Sequence, residues 1–151
     1  MNSDLNRWLV NSVYKHFREN LKPDYCYIQG EIRPKDEPVV RYEFRMIGPD
    51  WTENGSEYII SLTVNLVIRS DIRATGPNQH TLRVGKALPV FSCIPINRYG
   101  HIPTDDQSRV GVLQRGAKLD TTHFDVIDPV ANITLSTLEA EYVAHIRKGS
   151  L

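Results

Sequence analysis

Side chains capable of chemistry are few and widely spaced in this chain. His123-Phe124-Asp125 sets an imidazole and a carboxylate two residues apart, and on a strand both point the same way. That pair suits a shared metal ion or a proton transfer, and a solvated strand face explains it equally well. Asp105-Asp106 near His101 has the same two readings, with a charged loop the simpler one. His80, His101, His123 and His145 stand singly, without the i, i+4 spacing of helical metal pairs. Gly111 and Gly116 are separated by Val112-Leu113-Gln114-Arg115, and no Lys-Ser or Lys-Thr follows to complete a phosphate-binding loop. No glycine-x-serine-x-glycine elbow occurs, and Ser61 and Ser92 lie in apolar, strand-like contexts. Cys26 and Cys93 are far apart, in no metal or redox spacing, and read as reduced, buried thiols of a cytosolic protein. The expectation is a protein that is not an enzyme, with no catalytic residues, no cofactor and no metal.

Binding chemistry is bounded by charge. Eighteen basic residues balance 18 acidic ones, so no overall field attracts nucleic acid or an anionic membrane. Arg69, Arg73, Arg83 and Lys86 could line one edge, and Arg98, Arg109, Arg115 and Lys118 another. Single-strand recognition needs such clusters interleaved with aromatics, and Tyr99 is the only aromatic close by. Sequence-specific nucleic-acid binding is therefore not expected. A mixed charged surface docking on copies of itself fits better, because complementary charges set register between subunits. No apolar run approaches the roughly 18 residues of a membrane span, and Met1-Asn2-Ser3-Asp4 lacks the basic and apolar regions of a signal peptide. The reading is of a soluble intracellular product without membrane contact.

The elements that must position these residues follow from periodicity. A chain of 151 residues makes one domain, 1–151, and buries roughly 68–70% of its unfolded surface. Ser3 caps a first helix in which Leu5, Trp8, Leu9, Val13, Phe17 and Leu21 recur at helical spacing, and Pro23 ends it. Tyr25 to Ile32 reads as a strand weakened at Gly30, and Pro34 to Pro38 as a charged turn. Val39 to Arg69 reads as a long hairpin projecting from the domain. Val40, Tyr42, Phe44 and Met46 alternate with Val39, Arg41, Glu43 and Arg45. Tyr58, Ile60, Leu62, Val64, Leu66 and Ile68 share one face of the return strand, with Ser61, Thr63, Asn65 and Arg69 on the other. That strand runs about twelve residues, roughly twice the usual length. Gly48 to Ser56, with Trp51, reads as a polar loop longer than a tight hairpin needs.

Beyond Arg69 the signals are weaker. Asp71 to Pro77 reads as a loop and Asn78 as the cap of a second helix, with Leu82, Gly85, Leu88 and Phe91 near helical spacing and Pro89 kinking or ending it. Cys93 to Asn97 is a short strand, and His101 to Arg109 a polar loop. Val110 to Leu113, His123 to Ile127 and Asn132 to Ile146 are further extended candidates. In the last, Leu138-Glu139-Ala140-Glu141 favours helix, whereas Asn132, Thr134 and Ser136 favour a strand start. The sum is α+β: a twisted, mainly antiparallel (mixed) sheet carrying an N-terminal helix and a second helix, with a long β-hairpin.

This order of elements resembles the tail terminator proteins of long-tailed bacteriophages and the related tail-completion and neck proteins of the head–tail junction. The resemblance runs through the Leu5 to Leu21 helix and the strand Pro38-Val39-Val40-Arg41-Tyr42-Glu43-Phe44. It continues through the long strand Glu57 to Arg69, the segment Leu88-Pro89-Val90-Phe91-Ser92-Cys93-Ile94, and a terminal strand with Ala140-Glu141-Tyr142-Val143. It covers most of the chain as a pattern, without an invariant motif. Gly100 to Asp128 is longer and more polar than in the smaller members. The resemblance implies a virion protein assembled in the host cytoplasm. It would form a ring, a hexamer, that caps the tail tube protein and meets the head connector or head-completion protein.

A ring needs one surface to meet a different surface on the next copy. Candidates for it are the outer strand face of Arg41, Glu43 and Arg45 with Thr63 and Asn65, and the Trp51 loop, since an exposed tryptophan is the type of side chain that anchors interfaces. Trp51 packing back on its own hairpin is the alternative. Two other function classes stand beside the ring: a small α+β binding or enzymatic domain, which needs a pocket with convergent polar groups, and a host-side adaptor using the same hairpin.

Overall fold

The computed structural model describes residues 3–22, 24–31, 35, 41–71, 79–100, 105–128 and 133–151. The first helix, α1 (Ser3–Asn20), forms where the apolar residues recur every three or four positions. Leu5, Trp8, Leu9, Val13, Phe17 and Leu21 are all buried, so one stripe of the helix carries its packing. Its end is tied by the Leu21 N–H donating to Phe17 O at 3.1 Å and Asn20 Nδ2 donating to His16 O at 2.7 Å.

Six strands follow the order β1-β2-β3-β6-β5-β4 in one curled sheet. They are β1 (Cys26–Ile28), β2 (Arg41–Asn54), β3 (Glu57–Asp71), β4 (Ile94–Asn97), β5 (Arg109–Asp128) and β6 (Ile133–Arg147). Only β1 and β2 are parallel; the other neighbours are antiparallel. The fold is α+β, a mixed sheet with α1 and α2 (Gln79–Ala87) on it. Tyr42, Phe44, Ile60, Leu62, Val64, Leu66 and Ile68 line the helix-side face with Leu138, Ala140, Tyr142, Ala144 and Ile146. Phe17 bridges the layers, 4.8 Å from the Phe44 ring and 5.2 Å from Phe91.

The hairpin departs from its sequence reading in two ways. Gly48 to Ser56 is not a loop: β2 runs to Asn54, and only Gly55 and Ser56 turn the chain. The register shifts once, between Ile47↔Thr63 and Asp50↔Ser61, so Gly48 and Pro49 stand opposite Leu62 alone. Gly48 has φ +104°, and a Cβ there would lie 3.2 Å from Ser61 O, which leaves glycine as the fitting residue. Backbone pairing to Glu57–Ser61 carries the polar residues after the bulge, so composition alone hid the strand. The hairpin is also not a free arm. β3 pairs with β6 from Glu57↔Arg147 to Asp71↔Ile133. Its tip is held by the Lys148 N–H donating to Ser56 O at 2.8 Å and by Lys148 Nζ beside Glu53 at 3.0 Å.

Other expectations are corrected, and the open choice at 138–141 is decided. The row Leu82, Gly85, Leu88, Phe91 does not face the core: Leu82 and Leu88 are exposed, while Ala87, Val90 and Phe91 are buried. Helix α2 gives way at Leu88–Val90 to a tighter three-residue turn containing Pro89, and the change of period splits the row. Leu138-Glu139-Ala140-Glu141 is strand, because β3 and β5 pair with it on both sides and pairing overrides helix propensity. Val110–Leu113 and His123–Ile127 belong to one strand, β5. Cys93 is exposed, and only Cys26 is buried. The turn expected at 34–38, Val39 and Val40, the loop at 72–77, Asn78, His101 and Asn132 lie outside the described residues, apart from position 35.

Candidate functional site

Among the described residues, those singled out for chemistry are used structurally or stand apart. The Asp105 carboxylate is buried and accepts from Arg7 Nη2 at 2.6 Å, while Arg7 Nη1 reaches Asp4 at 3.1 Å. Asp106 accepts from the Ser108 hydroxyl at 2.6 Å and the Ser108 N–H at 3.0 Å. The hydroxyl bond first, then the backbone bond, holds its carboxyl below the usual range. Arg98 donates to Ser108 Oγ and, at 2.9 Å, to Ser150 O. Its guanidinium lies 5.4 Å from the Trp8 ring, and that of Arg7 lies 6.0 Å from it. The acidic pair and the basic residues thus latch α1, the start of β5 and the chain's last turn together.

His123, Phe124 and Asp125 have their backbone in β5, and their side chains lie outside the described residues. His145 is an exposed strand residue with its ring 3.4 Å from the Glu57 carboxylate. Burial pushes the Cys26 thiol up to about 12, against a smaller opposing pull from Arg18, which makes it a poor nucleophile. Among the described residues no three His, Cys, Asp or Glu side chains converge on a metal position.

Two grooves open on opposite layers. One of about 550 Å³ lies between α1 and the turn after β1, where Arg18 grips Glu31, whose carboxylate also accepts the Ile28 N–H at 3.0 Å. The other, about 490 Å³, lies on the sheet face away from the helices, walled by Ile47, Thr63, Lys118, Asp120, Glu139 and Glu141.

That outer face holds five of the six expected interface residues. Arg41, Glu43 and Arg45 pair with Arg69, Val67 and Asn65; Thr63 and Asn65 in turn pair with Glu141 and Glu139, and Asp120 lies beyond Glu139. A row across four strands therefore reads Arg45, Asn65, Glu139, Asp120, basic at one side and acidic at the other. Exposed Ile47 and Val143 add apolar surface. Arg41 is not free surface: it is buried, with its guanidinium 5.7 Å from the Tyr27 ring and its Nε donating to Glu43 at 2.9 Å. Trp51 lies on the other face. The bulge moves it into register with core residue Ile60, and its ring meets Tyr58 edge-on at 6.3 Å. Counting alternation straight through Gly48-Pro49 misplaces it by one face; the glycine–proline pair was the available signal.

The sequence reading missed the borders of the sheet. β1 pairs with β2 only at Tyr42, Glu43 and Phe44. From Arg45 to Asn54 the outer side of β2 has no strand partner among the described residues. β4 covers β5 only from Arg109 to Leu113. From Gln114 onward the outer side of β5 likewise has no strand partner among the described residues. No family model matches the chain, and no curated protein matches it.

Proposed function

We propose that this chain is a structural virion protein that forms a ring, a hexamer, at the head–tail junction of a bacteriophage. The ring caps the tail tube and meets the head connector, and the chain has no catalytic turnover. One observation supports the self-assembly: among the described residues the helices cover one face of the sheet, and two long borders without a strand partner lie on opposite sides of the sheet with different sequences. Unlike surfaces on opposite sides suit a head-to-tail interface, and such interfaces form rings where the rotation between copies closes. The outer face carries both signs of charge, Arg45 and Lys118 with Glu139 and Asp120, and complementary charges set register between copies. The assignment to a phage junction rests on the resemblance in element order.

Light scattering and negative-stain microscopy of the purified chain, alone and with tail tube protein, test the reading. A closed ring of fixed mass that binds tube ends is expected. A monomer at every concentration, with and without tube protein, overturns it, as does reproducible turnover lost on substituting His123 or Asp125.

A further inference from the structure

We propose that neighbouring copies join border to border, with β2 of one copy from Arg45 to Asn54 pairing antiparallel with β5 of the next from Gln114 to His123. The inference deepens the ring reading and rests on its self-association. Strand direction gives the first reason. β2 runs against β3, β3 against β6 and β6 against β5, so the two free borders run in opposite directions. A neighbour set alongside in the same orientation, as a head-to-tail ring requires, presents its β5 antiparallel to β2. That is the pairing with perpendicular, unslanted hydrogen bonds, and it gives partners to N–H and C=O groups that have no strand partner among the described residues.

Extent and charge give the second. β5 is first free at Gln114, where β4 stops, and β2 ends at Asn54. Placing these two opposite each other sets Glu53 against Arg115 and Asp50 against Lys118. Acidic and basic residues are each three apart, and the antiparallel reading brings both pairs into line. They also agree in face. Glu53 pairs with Tyr58 and Arg115 with Tyr142, both residues of the helix-side face. Asp50 pairs with Ser61 on the outer face, where Lys118 lines the groove with Asp120. The Lys118 side chain is 84% exposed with its Nζ 3.5 Å from Asp120, and Glu53 lies 3.0 Å from Lys148, so both charges would reach a second chain out of surface ion pairs. The rival role for the bulges at Gly48-Pro49 and between Arg115 and Leu119 is to keep both borders unpaired, and the experiment separates the two.

Two double variants of the full chain, Asp50→Lys with Glu53→Lys and Arg115→Glu with Lys118→Glu, are compared with the parent by sedimentation after circular dichroism has checked folding. Each alone should need a concentration about tenfold or more higher to associate, because attraction becomes repulsion at both pairs. An equimolar mixture should regain association, since each variant's reversed border then meets its complement on the other. Hydrogen exchange should slow at 50–54 and 114–118 on association of the parent. Parent-like association of both variants overturns the border pairing and leaves a ring built through another surface. Failure of the mixture to recover overturns it as well. A parent chain that never associates removes both this inference and the ring.

Discussion

The ring of Trp51 is turned toward the core by the one-residue bulge before it, and its edge-on contact with Tyr58 fixes the tip of the hairpin. Trp51→Ala should therefore act on the fold. A half-buried ring leaves a smaller void than a fully buried one, so the expected loss is about 1–2 kcal/mol against roughly 3–5 for complete burial. Urea unfolding reads the loss, and light scattering should find association unchanged. Weakened association at unchanged stability would return Trp51 to the interface. The cysteines differ in the same local way: Cys93 is exposed and Cys26 is buried with its thiol pushed up to about 12. A thiol reagent should label Cys93 in the native protein and Cys26 only after unfolding; fast double labelling would contradict the burial. The exposure of Cys93 was not legible in the sequence, whereas the packing of Trp51 on its own hairpin was one of the two readings it offered. Cys93 follows a short turn whose packing depends on the α2 junction, and Trp51 depends on a bulge that breaks the count of two.

Alternation identified the central strands well because both are half-buried and antiparallel, the situation in which one face is apolar and the other polar. Val64 is fully buried, whereas Thr63 is partly exposed on the outer face opposite Glu141. Val64→Asp should unfold the chain, since an unpaired buried carboxylate costs several kcal/mol against a total of roughly 5–15. Thr63→Asp should stay folded and lose only about 0.2–1 kcal/mol to the like charge of Glu141 across the strand. Thermal melts of the two variants decide it, and equal damage from both would mean that β3 is buried on both faces. The same period found Arg41, Glu43, Arg45, Thr63 and Asn65 as one face, yet it gave no warning that Arg41 is buried over Tyr27, a contact made by the preceding strand lying parallel beside β2. β5 was found only in fragments. Its bulge between Arg115 and Leu119 breaks the pattern, and the free borders follow from nonlocal pairing that no local pattern encodes.

At the scale of the molecule, α1 straps the helix-side face from one border of the sheet to the other. Near β1 it is held by Arg18 on Glu31. Near β4 the Asn97 N–H donates to Ser12 Oγ at 3.0 Å, and Arg7 holds Asp105. Both borders therefore depend on one helix, and loosening either end should loosen the sheet that presents them. Glu31 makes this testable by pH. Burial alone would raise its carboxyl, but the hydrogen bonds from Arg18 and the Ile28 N–H outweigh it and hold the group below its ordinary value of 4.5. A carboxyl depressed in the folded state stabilises fully above 4.5 and loses that contribution as pH falls through its folded value. Glu31→Gln should thus be less stable than the parent at neutral pH, with the gap closing in acid as the parent's own carboxylate is protonated. Urea unfolding of both proteins across that range measures the gap. A gap that stays constant into acid would mean that Glu31 acts through shape and its neutral hydrogen bonds, and that the ionic half of the strap contributes nothing.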